Sequence, residues 1–175
     1  MGTILLFQAA CLHDNINRMV AALAAGLVRL GAAVELFDLR PPDSAARLVA
    51  RLGRGDVDRV VSFAGFGLDP RPRGNLYHRP GLRLLSVYLD PLLLYWDQVA
   101  LEIPGRVVTS PNPDDLDFCA RHLPGRAVAL LPHAADPLPP RDWAARDVEI
   151  LFAGSLSDDP EGSCPRAWCN SAVAV

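Results

Sequence analysis

Lysine is missing from this sequence of 175 residues, because all 17 of its cationic residues are arginine. They are balanced by 20 acidic residues, and the formal net charge of -3 is small. A strongly basic surface for nucleic acid is therefore not expected. The exclusive use of arginine is compatible with phosphate recognition, but it is more simply explained by a GC-rich coding bias. We give it no functional weight.

Closely spaced cysteines and long apolar runs are also lacking. The four cysteines show neither the CxxC spacing of a zinc site nor the density of a small secreted scaffold: Cys11, Cys119, Cys164 and Cys169. The N-terminus has no cationic region before its short apolar run, and no run reaches 18 apolar residues. Neither a signal peptide nor a transmembrane segment is expected. These features predict a reduced, cytoplasmic protein.

What the sequence does contain is a regular alternation of short apolar runs and amphipathic stretches. Half of its residues are apolar, which suffices for a core in a chain of this length. Strands are predicted at residues 3–8, 33–38, 57–63, 84–89, 106–109 and 127–131, and helices at residues 16–30, 43–52, 92–100 and 114–122. This order predicts an α/β fold with a Rossmann-like, doubly wound, mainly parallel sheet.

A proline-rich stretch after the sixth predicted strand indicates a domain boundary. We assign residues 1–136 to a first domain and residues 137–146 to a linker. Residues 147–175 then form the start of a second domain, which opens with one predicted strand. The chain is expected to stop just after that domain begins, as in a truncated or frame-shifted reading of a longer gene, with a poorly ordered tail.

Two segments around this boundary resemble a known family. LPHAAD at residues 131–136 and DVEILFAGS at residues 147–155 resemble GT-B glycosyltransferases, in particular the bacterial family related to the spore-maturation protein CgeB. The resemblance implies the N-terminal half of a GT-B fold. In such enzymes the first domain mainly holds the acceptor and the second mainly holds the nucleotide sugar.

The same resemblance implies what the chain binds. A nucleotide-sugar donor and an unknown acceptor would be the partners of the full-length enzyme, and no cofactor is expected. Because most of the donor domain is missing, we expect the chain to be inactive alone. We also expect that the exposed interdomain face allows self-association.

Candidate residues follow from the rule that ligands of open α/β sheets bind beyond the carboxyl ends of the strands. After the first strand, His13 is a candidate catalytic residue, and Asp14 and Asn15 are candidates for substrate binding. The alternatives are a solvated histidine and helix capping. At the end of the sixth strand, His133 suits general-base catalysis near neutral pH. A residue that only ties the two domains together is the alternative there.

Four further positions are candidates for substrate binding. Gly65 and Gly67 follow the third strand, where glycine allows close approach of a ligand or simply a tight turn. Asp90 ends the fourth strand and would contact an acceptor hydroxyl or cap the next helix. Asp136 would bind substrate or act as a cap or hinge residue.

Nucleotide binding is assigned by resemblance alone. Gly154 and Ser155 match the GS after the first strand of the family's second domain, where the loop approaches the donor phosphates. No metal site is predicted, because the four histidines lie far apart and no DxD pair follows a strand. The acidic run at residues 114–117 is interpreted as capping and solvated charge at a helix start, where its sign is favourable.

Two alternatives to a glycosyltransferase remain open. A flavodoxin-like small-molecule module that binds FMN would also begin with a strand, a polar loop and a long helix. The loop AACLHDN, however, lacks the hydroxyl-rich T/S-x-T-G-x-T pattern that binds the FMN phosphate in that fold. The other alternative is a gene fragment without function that folds because its first domain is self-contained.

Overall fold

A computed structural model describes residues 2–11, 14–68 and 76–133. Its strands are β1 (Thr3–Gln8), β2 (Val34–Asp38), β3 (Val57–Phe63), β4 (Arg83–Val87), β5 (Arg106–Ser110) and β6 (Ala127–Leu130). Its α-helices are α1 (Asn15–Arg29), α2 (Ser44–Gly53), α3 (Trp96–Val99) and α4 (Pro113–His122). Short 3₁₀ turns occupy Leu76–His78 and Leu92–Tyr95.

The six strands form one sheet in the order β2-β1-β3-β4-β5-β6, and every neighbouring pair is parallel. This arrangement confirms the predicted α/β class with a doubly wound parallel sheet. The strands are short apolar runs, as expected where a parallel sheet is buried between helices. Within this class, the order places β2 and β3 on opposite sides of β1.

The helices pack on both faces of the sheet. On one face, Val20 and Ala24 of α1 contact Leu6 of β1 and Val61 of β3. On the other face, α2 packs through Leu48 and Leu52 on a cluster that includes Leu5, Phe7 and Val60. Helices α3 and α4 lie on that second face as well, where their buried members are Val99 and Cys119.

Helix α1 stops just before Gly31, the C-terminal stop residue that its sequence predicts. Gly31 has a φ of 82°, which a residue without a Cβ adopts without strain. Its N–H donates to the carbonyl of Val28, and the N–H of Ala32 donates to the carbonyl of Leu27. These two bonds form a Schellman motif, which satisfies carbonyl groups that the helix end would leave unpaired.

Two local predictions differ from the structure. Residues 92–100 form a 3₁₀ turn followed by the single turn of α3, because Tyr95 leaves helical geometry with φ -118° and ψ 24°. At the start of α4, the side chain of Asn112 caps the helix by accepting from the Asp114 N–H. The acidic residues predicted at this positive end, Asp114 and Asp115, do lie in its first turn.

Several predictions fall outside the described residues. They are His13, Asp136, the linker at residues 137–146, the strand at residues 147–153, and Gly154 with Ser155. Among the helices that the structure describes, none combines the length and the apolar character needed to cross a membrane.

Candidate functional site

The strand order identifies where a ligand would bind in this sheet. From β1, the chain moves to β2 on one side, whereas β3 and the later strands extend on the other side. In open α/β sheets the loops diverge at such a switch point, and ligands bind there, beyond the carboxyl ends of the strands. Among the described residues, 9–11, Asp14 and 64–67 border this switch point, and Asp14, Gly65 and Gly67 are predicted site residues.

Ala9 and Asp14, on the two sides of the loop between β1 and α1, are both hydrogen-bonded to one buried side chain, Asn17. Its amide group donates to the Ala9 carbonyl at 2.9 Å, and its Oδ1 accepts from the Ala9 N–H at 3.1 Å. The same amide donates to Oδ1 of Asp14 at 2.5 Å. Asn17 is only 5% exposed. The first turn of α1 thus holds the backbone that leaves β1.

Asp14 occupies the N-cap position of α1, but its carboxylate does not cap the helix backbone. Instead, it accepts from Asn17, and the residue has a φ of 56° in the left-handed region. Asn15 uses its Oδ1 to accept from the neighbouring Ile16 N–H. Both side chains are exposed. Contact of either one with a substrate stays a prediction.

A charged pair stands at the end of β2, beside the same loop. Arg40 donates to the two carboxylate oxygens of Asp38, with both distances at 2.8 Å. These hydrogen bonds lower the pKa of the half-buried Asp38 carboxyl to about 2. Asp38 lies in register with Gln8, the last residue of β1. A fixed arginine therefore flanks the switch point on the β2 side.

The turn after β3 contains three residues with positive φ. Ala64, Gly65 and Gly67 have φ values of 47°, 75° and 73°. The hydroxyl of Ser62 donates to the Phe66 carbonyl at 2.6 Å, which stabilises the turn from within. An alanine at φ 47° is unusual for a residue with a Cβ, and such strain occurs preferentially at functional sites.

The two glycines are packed against side chains of the protein itself. A Cβ on Gly65 would lie 1.7 Å from Oε1 of Gln98, and one on Gly67 would lie 2.9 Å from the Tyr77 hydroxyl. That hydroxyl also donates to the Gly67 carbonyl at 3.1 Å. Both glycines thus serve a tight turn under close-packed neighbours. A substrate contact at these positions stays a prediction.

Asp90 is exposed in the loop that follows β4. Its Oδ2 accepts from the hydroxyl of Tyr95 at 3.0 Å, whereas the residue at the cap position of the next turn is Pro91. Burial, followed by this hydrogen bond, raises the pKa of Tyr95 to about 12. Asp90 therefore retains lone pairs that accept from a bound hydroxyl compound.

The structure separates the predicted site residues along the carboxyl edge. Between the end of β1, where Asp14 follows, and the end of β6, where His133 follows, stand the ends of β3, β4 and β5. At the usual strand spacing, four steps amount to roughly 19 Å. His133 is exposed, and it lies far from the β1 loop. Asp14 and His133 therefore cannot act on the same atom of a small ligand.

Sequence analysis missed a buried polar network that reaches this edge. Arg106, which is 7% exposed, donates to the Ser86 hydroxyl at 3.0 Å, to the Tyr88 hydroxyl at 2.9 Å and to the Gln98 carbonyl at 2.6 Å. Burial lowers the pKa of its guanidinium. Gln98 in turn covers Gly65. The sequence feature that could have indicated this network was the arginine at the start of a predicted strand.

Metal binding finds no support in residues 2–11, 14–68 and 76–133, where no group of three or more histidine, cysteine or acidic side chains is suited to hold an ion.

Comparison of the chain with protein-family models, with curated proteins and with solved structures gave no match. The functional interpretation consequently rests on the carboxyl edge and on the sequence segments described above.

Proposed function

We propose that this chain is the acceptor-side part of a GT-B glycosyltransferase similar to the CgeB-related family. The observation that carries the proposal is a set of exposed leucines at the carboxyl edge. Leu93 and Leu94 follow β4 and are 52% and 42% exposed. Leu130 ends β6 and Leu131 follows it, and each is 46% exposed. Exposed apolar groups beside a ligand crevice suit packing against a second lobe.

The proposed reaction transfers a sugar from a nucleotide-sugar donor to a hydroxyl of an unknown acceptor. The acceptor oxygen forms a bond to the anomeric carbon, the bond from that carbon to the phosphate oxygen breaks, and a nucleoside diphosphate leaves. His133 takes the proton of the acceptor hydroxyl as general base. Asp90 accepts a hydrogen bond from the acceptor. Gly154 and Ser155 approach the donor phosphates in this scheme.

The proposal assigns the remaining candidates to the acceptor side. Asp14 and Asn15 bind the acceptor from the loop after β1. Gly65 and Gly67 allow the acceptor to approach the backbone of the turn after β3. His13 is the alternative general base. Asp136, three residues after His133 in the sequence, also binds substrate. The enzyme works in the cytoplasm, in keeping with the free thiols of Cys11 and Cys119 among the described cysteines.

The test is a titration that is monitored in amide NMR spectra of the labelled chain. Glucose, galactose, N-acetylglucosamine and maltose are added separately as acceptor probes. At least one should shift signals of residues 9–17, 64–67 and 88–95, and Asp90→Ala should weaken that binding about tenfold, which corresponds to a hydrogen bond to a charged group. Asp117→Ala, an exposed carboxylate change on α4, is the matched control. Shifts confined to the amino edge would argue against the proposal.

A second measurement tests the assignment of the donor to a separate domain. The chain is incubated with UDP-glucose, UDP-N-acetylglucosamine and GDP-mannose, and release of the nucleoside diphosphate is followed. We expect no release above the uncatalysed level. Steady turnover by this chain would show that donor binding is complete here, which contradicts the division of roles.

The strand order favours a second candidate function, a flavodoxin-like module for FMN or another small molecule. The first five strands follow the order 2-1-3-4-5 of that fold, in which FMN binds at the switch between β1 and β3. Against it stands the loop after β1, which lacks the hydroxyl groups that would hold the phosphate. Stoichiometric quenching of FMN fluorescence by the chain would favour this candidate over the glycosyltransferase.

Self-association through the exposed interdomain face is part of the first proposal. Light scattering over a range of concentrations should show a growing average mass, because the exposed leucines of one copy can cover those of another. Leu93→Ser combined with Leu130→Ser should restore a monomer. A wild-type chain that stays monomeric at high concentration would contradict this part of the proposal.

A further inference from the structure

Over β4, β5 and β6, one face of the sheet is left without a helix among the described elements. Helix α1 covers this face over β2, β1 and β3, its apolar cluster reaches Val87 of β4, and α2, α3 and α4 lie on the opposite face. Leu85 and Val107 point to the α1 side, stand in register on β4 and β5, and remain half-buried. Parallel sheets are normally covered on both faces. Within residues 2–11, 14–68 and 76–133, no element covers this part of the face.

A groove runs along the uncovered face beside α1. Leu23 and Leu27 of α1 form one wall, and Leu85 and Val107 form part of the floor. Its volume is about 280 Å³, and its lining is almost entirely apolar. Packed helices lie roughly 8–10 Å apart, and two strand spacings amount to roughly 9.6 Å. A second helix would thus fit beside α1, on the part of this face that α1 leaves open.

The amino end of the groove carries two arginines in an unfavourable arrangement. Arg59 of β3 and Arg83 of β4 are register partners, and both line the groove. Like charges at adjacent positions of neighbouring strands repel each other. Arg59 has a carboxylate at 3.6 Å, from Asp58, in a solvent-exposed pair that contributes little. Within the described part of the chain, Arg83 forms no salt bridge. A negative group in an occupant would relieve this repulsion.

We propose that this groove is the docking site for an amphipathic α-helix of a partner protein, with an apolar stripe and acidic residues in its last turn. A helix that runs antiparallel to the strands, as α1 does, ends at the amino edge of the sheet. Its C-terminal carbonyl groups carry partial negative charge and would face Arg59 and Arg83. Carboxylates in that turn add charge of the same sign. This inference does not depend on the proposed glycosyltransferase function.

The experiment uses two synthetic probes and the full 175-residue chain. Both probes are fluorescein-labelled, 18-residue amphipathic peptides with leucine at helical spacing. One has three glutamates in its last turn, and the other has three lysines there. Fluorescence anisotropy at low salt should show at least tenfold tighter binding of the glutamate peptide. This preference should shrink as salt is added, because exposed charges are screened.

Charge reversal in the groove provides the decisive comparison. Arg59→Glu combined with Arg83→Glu should reverse the preference, so that the lysine peptide binds more tightly. The matched control combines Arg54→Glu with Arg121→Glu. Both arginines are exposed, Arg54 directly after α2 and Arg121 on α4, and their replacement should leave the preference unchanged. Circular dichroism establishes that each variant is folded, and Arg83→Glu alone replaces the double variant if that one unfolds.

Three outcomes would overturn the proposal. The first is that neither peptide binds the folded chain at millimolar concentration. The second is that the peptide preference survives charge reversal. The third is a dimer in light scattering that Val107→Glu abolishes, since the groove would then belong to a second copy of this chain. Weaker glutamate-peptide binding in Val107→Thr, which keeps the side-chain shape, would support the proposal.

Discussion

The carboxamide of Asn17 pairs with both backbone polar groups of Ala9, eight residues earlier in the chain. Nδ2 donates to the Ala9 carbonyl at 2.9 Å, and the Ala9 N–H donates to Oδ1 at 3.1 Å. A single side chain on the first turn of α1 thus completes the hydrogen bonding of the residue that follows β1. This pairing fixes the backbone of Ala9, because backbone groups near the core require partners.

Replacement of Asn17 by alanine should destabilise the protein substantially. It leaves the N–H and the carbonyl of Ala9 without their partner, and each unpaired group costs about 1–3 kcal/mol. We expect the free energy of unfolding, measured by urea denaturation, to fall by about 2–4 kcal/mol. Asn15→Ala is the control, since its exposed amide accepts only from the next residue. Equal losses in the two variants would contradict this role for Asn17.

Most of the secondary structure could be predicted from the sequence. β1 and β3 lie where the apolar runs predict them, because these runs are short, rich in branched residues and bounded by turn signals. Helix α1 was predictable from its apolar spacing and from Gly31. The strand order was not, because pairing depends on contacts between distant segments that no local pattern records. The position of β3 beside β1 therefore had to come from the structure.

Gly67→Ala should cost more stability than Gly31→Ala. Both glycines have positive φ, at 73° and 82°. A Cβ on Gly67 would meet the Tyr77 hydroxyl at 2.9 Å and the ring of Phe7 at 3.0 Å, whereas nothing lies within 4 Å of one on Gly31. We expect an additional loss of about 1–3 kcal/mol from this overpacking. Thermal and urea unfolding of both variants measure it.

A second substitution separates the steric cost at Gly67 from the backbone cost. Tyr77→Phe removes the hydroxyl that the new Cβ would meet, so the double variant with Gly67→Ala should lose less than the sum of the two single changes. A coupling energy of about 0.5 kcal/mol or more is expected for residues in contact. Strict additivity would show that the hydroxyl imposes no restriction on Gly67.

The candidate site was less predictable than the fold, and the glycines show the physical reason. Gly65 and Gly67 are recognisable in the sequence as residues that allow close approach, but a sequence does not show what approaches. In the structure, Gln98 and Tyr77 occupy those positions. Gln98 lies 33 residues after Gly65, and nothing local links the two. Likewise, Asn17 could be seen as a helical residue but not as the partner of Ala9.

The tyrosines should titrate far later in the folded protein than in the unfolded chain. The sequence contains three, and burial raises the pKa of Tyr77, of Tyr88 and of Tyr95, the last to about 12. Absorbance at 295 nm should therefore show little phenolate at pH 10 in the native protein. In 8 M urea, about half of the phenols should be ionised at that pH, because the unperturbed pKa is about 10.

The same shifts predict how stability depends on pH. Folded phenols hold their protons more tightly than unfolded ones, so this contribution is fully present below pH 10. It is lost as the pH rises from about 10 towards 12, where the unfolded chain has released protons that the folded state retains. The urea midpoint should fall across this window, and Tyr95→Phe should reduce that fall. A flat midpoint between pH 9 and 12 would contradict the burial of these hydroxyls.

Asp115 should be far more important for stability than its neighbour Asp114. The Asp115 carboxylate is 8% exposed, and its Oδ2 accepts from the Leu92 N–H at 3.1 Å and from the Ser110 hydroxyl. It thereby joins the first turn of α4 to the turn after β4, beside Asp90. Asp115→Ala removes the acceptor of the buried Leu92 N–H and of the Ser110 O–H, and the free energy of unfolding should fall by about 2–4 kcal/mol. Asp114→Ala removes an exposed charge and should cost at most about 0.5–1 kcal/mol through the helix dipole. Asp115→Asn, which keeps an acceptor oxygen, should lie between the two, and a loss as large as that of alanine would show that the charge matters more than the hydrogen bonds.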